Sequence, residues 1–420
     1  MELENRLRDV AVIGAAGKMG RGIALLLAEH MAGDGGNATP PRLTLIDTQK
    51  EGLADLEQYL EVQVAKRAAR SGRPVNLSSI VQMTTDPQRA AEAHLVFEAL
   101  PEVEALKVEA LCQLQDSCSP DTWFLSNTSS IPIGELDRQA RLEGRVVGFH
   151  FYNPPPVQKL LEVIPAASTA PALEAAARQL AVDLGKTVVT SRDVAGFIGN
   201  GHFIRECLYA LHLIEQLQAR DGFSKAVYAV DKVSRDGLLR PMGIFQVMDY
   251  AGVDICAAIM EVMVRYIAKE SFVSATVERM LSAGAKGGQH GDGSQKDGFF
   301  RYDGYRITDV YDIESGTYLP LEVVAAIDEE LGDLALPGRC WKELQGQPDV
   351  DEQVHSHFEW LRVNPGAGAN MAIDYFQASK RIAASLLNDG IATCGEDVDV
   401  VVTTGFHHLY GPLGMEVSSV

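Results

Sequence analysis

The run Asp9-Val-Ala-Val-Ile13, continued by Gly14-Ala-Ala-Gly17-Lys-Met-Gly20-Arg-Gly22, decides the fold of this chain. A short β-branched strand ends at a glycine-rich turn, and residues 23–30 then have the apolar composition of a helix. Strand, glycine turn and helix in this order bring backbone N–H groups against a pyrophosphate. The run predicts a Rossmann-type, doubly wound sheet that binds a dinucleotide. The residues of this turn that are expected to contact the cofactor are Gly14, Ala15, Gly17, Lys18, Met19 and Gly20.

A second strand is predicted at residues 43–47, and it ends in Asp47. A carboxylate at this place accepts hydrogen bonds from a ribose diol and repels a 2′-phosphate, so it favours NAD over NADP. The glycines are spaced GxxGxxG rather than GxGxxG, which predicts one extra residue in the turn. A purely structural glycine turn is the alternative.

Polar side chains follow the next predicted strands, at residues 94–100 and 123–126. Glu102, Asn127 and Ser129 come directly after them. In a doubly wound sheet, ligands bind at the carboxyl ends of the strands. The alternative for Ser129 and Ser130 is that they cap a short helix.

Residues 146–164 read as two short apolar strands joined by a proline-stiffened turn, with His150 and Glu162 among hydrophobic neighbours. A buried carboxylate is costly unless it is paired, and His150 is the nearest candidate partner. A carboxylate that fixes one imidazole tautomer prepares a general base. A buried, purely structural His–Glu pair is the alternative.

The composition disfavours several classes of protein. A formal charge of −20 over 420 residues argues against nucleic-acid binding, which needs a basic surface. The sequence has no uninterrupted apolar run of ~18 residues and no signal-peptide layout at its N-terminus, so we expect no membrane span. The six cysteines are scattered without a CxxC pair, which favours reduced thiols, no metal site and a cytoplasmic location.

The densest positive cluster in this acidic chain contains Lys66, Arg67 and Arg70. Such a cluster can hold a phosphate-bearing ligand, for example coenzyme A, by local rather than global charge. The alternative is a solvated helix face.

The second half of the chain is predicted to be mainly helical, and it contains an internal repeat. Amphipathic helices at about 203–217 and 371–387 are each followed by a similar segment, one around Asp231 and one around Asp399. Asn200 lies near the beginning of the first helix, where capping is one explanation. The glycine-rich stretch 284–304 predicts a loop or linker, and residues 305–365 carry no readable pattern.

Four regions follow from these patterns. A dinucleotide-binding domain spans 1–190, a first helical domain 191–305, a connecting segment 306–365, and a second, truncated helical repeat 366–420. The predicted fold class is therefore α/β plus all-α, with a duplicated helical part.

Seven segments resemble the L-3-hydroxyacyl-CoA dehydrogenase family, including the dehydrogenase part of multifunctional fatty-acid oxidation proteins. The matching segments are Met19-Gly-Arg-Gly-Ile-Ala24, Val96-Phe-Glu-Ala-Leu-Pro-Glu102, Ser126-Asn-Thr-Ser-Ser130, Gly148-Phe-His-Phe-Tyr-Asn-Pro154, Leu160-Leu-Glu-Val-Ile164, Gly196-Phe-Ile-Gly-Asn200 and Arg240-Pro-Met-Gly243. Their order and spacing agree with the family over about residues 9–305, and the likeness returns at 366–415.

The resemblance implies NAD-dependent, reversible oxidation of an L-3-hydroxyacyl-CoA to a 3-oxoacyl-CoA, as in fatty-acid β-oxidation. It makes His150 the catalytic base and Glu162 its orienting partner, with Ser129 and Asn200 near the substrate oxygen. The residues assigned to the cofactor, beyond the glycine turn, are Asp47, Glu98, Glu102, Lys107, Asn127 and Asn153.

The resemblance also implies that the C-terminal repeat replaces a partner subunit, which permits a monomer and leaves a homodimer open. Whether a separate enoyl-CoA hydratase is a further partner is left open by the sequence. The chain departs from the family in its glycine turn, at Gly201 and in the stretch before Gly298. In that stretch, Lys296 is the candidate for a lysine that contacts the cofactor. Two rival functions are a dehydrogenase of a free 3-hydroxy acid and a non-catalytic NAD-binding protein.

Overall fold

The computed structural model describes residues 2–33, 40–71, 76–291, 293–364 and 366–416. Two compact units divide the chain between Phe197 and Ile198. Among the helices of the described ranges, none has the length and apolar character that crossing a membrane requires. The finer domain boundaries at 190, 305 and 365 stay predictions.

The first unit is built on one twisted sheet with strand order β3-β2-β1-β4-β5-β6-β7-β8. β1 to β6 run parallel to one another, β7 runs antiparallel to β6, and β8 is parallel to β7. The strands are β1 (Asp9–Ile13), β2 (Arg42–Ile46), β3 (Val81–Thr84), β4 (Leu95–Glu98), β5 (Trp123–Ser126), β6 (Val146–Phe151), β7 (Leu160–Ile164) and β8 (Thr187–Thr190). The predicted Rossmann-type, doubly wound sheet is confirmed.

The helices of the first unit connect these strands and pack against the sheet. They are α1 (Leu3–Arg6), α2 (Lys18–Gly33), α3 (Lys50–Ser71), α4 (Glu104–Ser117), α5 (Ile133–Ala140) and α6 (Pro171–Asp183), with short 3-10 helices at Leu77–Ser79 and Pro87–Glu92. Every residue of β4, β6 and β7 is buried, as expected for strands covered on both faces. This burial is why the apolar runs in the sequence locate these strands well.

Two strands of the sheet were not predicted. β3 lies at one edge and β8 at the other, and the strand predicted third, at 94–100, is the fourth in chain order. Edge strands are only half covered, so Val81-Gln-Met-Thr84 lacks the continuous apolar run of a central strand.

The second unit is mainly helical. Its helices are α7 (Gly199–Asp221), α8 (Phe223–Lys232), α9 (Ile244–Ala251), α10 (Val253–Tyr266), α11 (Ala275–Ser282), α12 (Leu321–Val324), α13 (Asp328–Leu331), α14 (Trp341–Leu344), α15 (Val350–Val363), α16 (Ala367–Asn388) and α17 (Gly395–Val400). π-helices follow at Val233–Gly237 and Val401–Gly405, and a 3-10 helix lies at Ala325–Ile327.

A small antiparallel sheet begins at the end of the glycine-rich stretch 284–304 and continues into the stretch 305–365, which carried no readable pattern. Its strands are β9 (Phe300–Asp303), β10 (Arg306–Asp312) and β11 (Thr317–Pro320), in the order β11-β10-β9. The prediction of a loop or linker is therefore wrong for residues 300–303. The preceding segment 284–304 is held against α9, because the buried carboxylate of Asp249 accepts from the backbone N–H groups of Phe299 and Phe300. Residue 292 lies outside the described residues.

The internal repeat appears in the structure at a constant spacing. α7 begins at Gly199 and α16 at Ala367, 168 residues later (367 − 199). The two π-helices begin at Val233 and Val401, with the same spacing. The constant spacing through helix, turn and π-helix shows that the two copies align without insertion or deletion over this length.

Asp231 and Asp399 make equivalent hydrogen bonds in the two copies. Asp231 accepts from the backbone N–H of Phe245 at 3.0 Å, and Asp399 accepts from that of Leu413 at 2.9 Å. Each carboxylate lies so close to a glycine, Gly243 or Gly411, that a Cβ there would approach within 2.2 or 2.1 Å. Both aspartates therefore fix the turn that follows the π-helix.

Candidate active site

His150 and Glu162 lie directly opposite each other on the antiparallel strands β6 and β7. The imidazole Nδ1 is 3.0 Å from Glu162 Oε2. Glu162 has no exposed surface, whereas 7% of His150 remains exposed. A carboxylate at Nδ1 holds the proton on that nitrogen, so Nε2 carries the lone pair of the ring.

Tyr152 is a second donor to the same carboxylate oxygen, at 3.0 Å from Glu162 Oε2. Burial, together with the negative charge of Glu162, raises the pKa of the Tyr152 phenol well above its usual value. Tyr152 therefore stays protonated and donates. The rings of Tyr152 and Phe197 flank the imidazole, with centroids 5.0 and 6.1 Å away. Sequence reasoning missed Tyr152, although it is two residues after His150.

Glu102 accepts hydrogen bonds from the polar residues that follow β5. Its Oε1 accepts from the backbone N–H of Ser129 at 2.9 Å and from that of Ser130 at 2.8 Å, and also from three hydroxyls. These hydroxyls belong to Thr128, Ser129 and Ser130. Burial opposes ionisation, but the Lys107 ammonium and these donors lower the pKa of Glu102 below its ordinary value.

The alternative that Ser129 and Ser130 cap the following helix is wrong. The N-terminus of α5 is instead held by Asp193, whose carboxylate accepts from the backbone N–H groups of Ile133 and Gly134. The sequence did not predict this role of Asp193, because the residue lies 60 positions further along the chain than Ile133.

Glu98 and Lys107 form an ion pair with no exposed side-chain surface on either partner, at 2.7 Å. Glu98 also accepts from the backbone N–H of Leu100 and from the hydroxyl of Ser126. The Lys107 ammonium lies 3.4 Å from Glu102 as well. The pair thus ties β4, α4 and the Glu102 cluster together from inside the fold.

Asn127 joins the ends of two strands. Its side-chain oxygen accepts from the backbone N–H of Phe151 at 2.9 Å, beside His150. Asn153 lies in the bend after β6 and is half-buried. The structure therefore places the ends of β5 and β6, with their polar side chains, at one edge of the sheet.

The glycine turn lies close to the end of the neighbouring strand β4. Gly14 has φ +74°, and a Cβ there would lie 2.6 Å from the carbonyl oxygen of Ala99. A Cβ on Gly20 would lie 2.0 Å from the carbonyl oxygen of Gly14. Only glycine fits this close approach of backbone to backbone.

Asp47 follows β2 and faces the turn. Its carboxylate accepts from the backbone N–H of Ala16 at 3.0 Å and of Gln49 at 3.1 Å. Gly14, Gly17 and Asp47 line a cavity of about 610 Å³. The size suits a large part of a dinucleotide, since ligand pockets run from ~300 to ~1,000 Å³.

Helix α2, which begins at this turn, packs on the loop that follows the His150 strand. A Cβ on Gly22 would lie 2.8 Å from the ring of Pro155. Lys186, nearly buried, donates to the carbonyl oxygens of Pro155 and Gln158 and so fixes this loop from its other side. Packing contacts therefore link the glycine turn, through α2, to the loop that follows the His150 strand.

The predicted basic cluster is only partly available to a ligand. Lys66 is exposed, and Arg67 forms an ion pair with Glu29 and donates to the carbonyl oxygen of Pro156. The side chain of Arg70 lies outside the described residues. Burial and the neighbouring charges of Lys159 and Arg67 lower the pKa of Lys186 to about 8. Lys159 and Lys186 thus extend the cluster, and the sequence alone did not reveal this because both lie far from it along the chain.

Two predicted site residues belong to the second unit. Asn200 is the second residue of α7, whose N-cap position is Ile198, so Asn200 is not the cap. Lys296 is exposed, and its backbone N–H donates to the carbonyl oxygen of Gly288. Their contacts with a ligand stay predictions.

The chain matches two family models. Residues 9–194 match "3-hydroxyacyl-CoA dehydrogenase, NAD binding domain", and residues 196–297 match "3-hydroxyacyl-CoA dehydrogenase, C-terminal domain". Together they cover most of the chain.

Curated relatives agree with this match. A 3-hydroxybutyryl-CoA dehydrogenase of Mycobacterium tuberculosis is 31% identical over 299 residues, which is 69% of this chain and 99% of that protein. A probable 3-hydroxybutyryl-CoA dehydrogenase of Bacillus subtilis is 32% identical over 260 residues, 61% of this chain and 85% of that protein.

A solved structure of 3-hydroxybutyryl-CoA dehydrogenase from Escherichia coli shares the fold. It aligns with a TM-score of 0.67 at 22% identity, over 97% of this chain and 90% of that one.

Proposed function

This chain belongs to the 3-hydroxyacyl-CoA dehydrogenase family, and on that premise we propose that it oxidises an L-3-hydroxyacyl-CoA to the 3-oxoacyl-CoA, reversibly, with His150 as general base. The family makes the protein an NAD-dependent oxidoreductase, and its first unit is the NAD-binding domain. The observation that carries the proposal is the 3.0 Å contact between the His150 imidazole and the fully buried Glu162.

The residues of the first unit fit NAD. The cavity beside the glycine turn has the size for a dinucleotide, and the close approach at Gly14 brings backbone to the place of the pyrophosphate. Asp47 lines the same cavity, and we propose that it accepts hydrogen bonds from a ribose diol; its charge disfavours a 2′-phosphate. When bound, NAD supplies the acceptor for the hydride from the substrate's C3.

The proton of the C3 hydroxyl goes to His150 Nε2. Glu162 holds the Nδ1 proton and stabilises the imidazolium that forms, as an aspartate does in serine hydrolases. Tyr152 keeps the Glu162 carboxylate in place through its own hydrogen bond. General-base help of this kind is typically worth ~10²–10⁴-fold in rate.

We propose that Ser129 contacts the substrate oxygen, and the family resemblance implies the same role for Asn200 of the second unit. For Ser129 the support is its position beside β5, where Glu102 binds both its backbone N–H and its hydroxyl. We propose that Glu102, Asn127 and Asn153 contact the cofactor; the Glu102 side chain is 13% exposed, and Asn153 is half-buried. Glu98 and Lys107, both sealed from solvent, act on the cofactor indirectly, because they fix the strand end and Glu102.

The coenzyme A phosphates bind to the cationic group formed by Lys66, Arg67, Lys159 and Lys186, with Arg70 as a further candidate. The support is local positive charge in a protein of net charge −20. Arg67 and Lys186 donate to carbonyl oxygens of loop 154–158, which lies shortly after the His150 strand. Chain length of the acyl group, direction of flux, oligomeric state and a docked hydratase stay open predictions.

A steady-state panel tests the function. The purified protein is assayed with 3-hydroxyacyl-CoA thioesters of increasing length and with the matching free 3-hydroxy acids, each with NAD and with NADP. We expect turnover of the thioesters with NAD, competition by free coenzyme A, and weakened thioester binding after Lys66→Glu. Turnover of the free acids alone would make the protein a hydroxy-acid dehydrogenase, and no turnover at all would favour a non-catalytic NAD-binding protein.

A further inference from the structure

Arg21 is a cation in the first turn of α2, directly after Gly20 of the glycine turn. It lines the cavity of about 610 Å³ beside this turn. Of the described residues that line this cavity, Arg21 alone is positively charged, whereas Asp47, Asp55 and Glu109 carry carboxylates. The cavity proposed for NAD therefore contains one positive and three negative side chains.

Two contacts hold the Arg21 guanidinium in place. Its Nη2 donates to the carbonyl oxygen of Ala16 at 3.1 Å, within the glycine turn. Its Cζ lies 5.6 Å from the centroid of the Tyr59 ring on α3, a distance at which a cation and an aromatic face attract each other. Ala16 also donates its backbone N–H to Asp47. The guanidinium is thus fixed between the turn and α3, and Ala16 links it to the carboxylate proposed for the ribose.

The Arg21 guanidinium has donors left for a ligand. An arginine side chain carries several N–H groups, which can donate in different directions. Within the ranges that the structure describes, this side chain donates only to Ala16, forms no ion pair with a carboxylate, and keeps Nε buried without a hydrogen-bond partner. By contrast, Arg67 on α3 is paired with Glu29. A buried donor without a partner, on a cation without a counter-charge, indicates that this side chain binds an anion.

The anion that fits this place is a pyrophosphate. In a Rossmann-type fold the cofactor's pyrophosphate binds at the start of the first helix, where backbone N–H groups point toward it. A helix N-terminus supplies only about half an elementary positive charge, whereas both phosphates of the ligand are negative. The carboxylates of Asp47, Asp55 and Glu109 in the same lining repel them further. Without Arg21, the charge of the cavity would therefore oppose binding of the pyrophosphate.

We infer that Arg21 binds the pyrophosphate of NAD, donates to its phosphate oxygens and offsets the charge of the three carboxylates. The inference rests on the proposed function, in which NAD occupies this cavity. The backbone of the glycine turn orients the pyrophosphate, and Arg21 supplies the positive charge. A guanidinium suits this task because its N–H groups lie in one plane and donate to phosphate oxygens in pairs. Arg21 thus determines affinity for the diphosphate part of the dinucleotide.

Equilibrium binding to the full-length protein tests this role without turnover. NADH is titrated by its fluorescence, and ADP-ribose, which contains the pyrophosphate, and adenosine, which does not, compete with it. Arg21→Gln should weaken NADH and ADP-ribose roughly tenfold, since one hydrogen bond to a charged group is worth about that factor. Adenosine should keep its wild-type affinity, because it lacks the phosphates that Arg21 contacts. NADPH and free coenzyme A are titrated in parallel.

Two further variants separate the charge of Arg21 from its structural contacts. Arg21→Lys keeps the charge and should recover part of the affinity for ADP-ribose that Arg21→Gln loses. Arg138→Gln removes the same charge from α5, where the Arg138 side chain is 68% exposed, and should bind both ligands as the wild type does. A measurement that needs no variant is the salt dependence of the wild type, in which rising salt should weaken ADP-ribose more than adenosine.

Each other result overturns the inference. Unchanged affinity of Arg21→Gln for ADP-ribose, an equal loss for adenosine, or equal salt dependence of the two ligands would contradict it while leaving the proposed function intact. A loss confined to NADPH would assign Arg21 to a 2′-phosphate, and a loss confined to coenzyme A would assign it to the cationic group around Arg67. Absence of NADH and ADP-ribose binding in the wild type would overturn the proposed cofactor site and this inference together.

Discussion

Glu98 ends β4 and Glu162 lies within β7 of the same sheet, and neither carboxylate is exposed. Both accept hydrogen bonds from two side chains and both have a basic partner in contact, at 2.7 Å for Lys107 and 3.0 Å for His150. The partners differ. The Lys107 side chain has no exposed surface, whereas 9% of the His150 side chain is exposed.

This difference separates a structural carboxylate from one that can support chemistry. The Lys107 ammonium donates to Glu98 and to the carbonyl oxygen of Leu100, and it forms an ion pair with Glu102. The imidazole uses one nitrogen for Glu162 and keeps a second nitrogen, which can exchange a proton with a substrate. Burial of a charge alone therefore does not identify a catalytic group.

His150→Gln should show the largest effect on rate. Reduction of acetoacetyl-CoA by NADH should fall by ~10²–10⁴-fold, because glutamine cannot donate and take back a proton as imidazole does. Binding of NADH, followed by its fluorescence, should stay near that of the wild type and serves as the control for folding. A variant that keeps more than about a tenth of the rate would contradict the role of His150.

Lys107→Met should show the largest effect on stability. It leaves the Glu98 carboxylate buried without its cation, which typically costs ~3–5 kcal/mol in the free energy of unfolding. Chemical denaturation of the full-length protein measures this loss of free energy, and it is monitored separately from NADH oxidation. The double variant Lys107→Met with Glu98→Gln should recover part of the loss. No loss in the single variant would mean that this pair is not the sealed ion pair described.

Glu162→Gln should lower kcat by roughly 10²-fold with little change in KM. The glutamine amide can donate to Nδ1 and so favours the tautomer with its proton on Nε2, which cannot accept the hydroxyl proton. Loss of stability should be smaller than for Lys107→Met, since the neutral imidazole needs no counter-charge. An equal kcat in this variant would reduce the His150–Glu162 pair to a structural contact.

Tyr152→Phe should show the smallest effect. It removes the phenol hydroxyl that donates to Glu162 and leaves the His150 contact in place. One such hydrogen bond is worth about 1 kcal/mol, or less than tenfold in kcat. The measurement is kcat beside the unfolding midpoint. A loss as large as that of His150→Gln would instead make the phenol a direct participant in proton transfer.

The sequence predicted those strands whose apolar runs have a single physical cause, namely burial on both faces of the sheet. β1, β4 and β5 to β7 are continuous apolar runs because both faces of the sheet are covered, and the opposed His150 and Glu162 follow from the turn between β6 and β7. The edge strands β3 and β8 lack that cause and were missed. So was the small sheet of β9 to β11, whose strands are only partly buried.

Within the site, contacts between residues distant in sequence were beyond prediction. That Asp193 holds the N-terminus of α5 and that Lys186 fixes the loop after β6 both depend on tertiary packing. No periodicity or local spacing encodes them. The internal repeat was visible in the sequence, but its constant spacing required the helix bounds.

The pH dependence of kcat in both directions, with chemistry shown to be rate-limiting by a deuterated substrate, tests the role of His150 most directly. Oxidation requires the neutral imidazole, so its rate should fall as the pH falls. Reduction requires the imidazolium, so its rate should fall as the pH rises. Tyr152 adds no limb, because burial and the charge of Glu162 keep its pKa far above its usual value. Two opposite limbs that vanish in His150→Gln are the predicted result, and profiles that stay flat in both directions would contradict it.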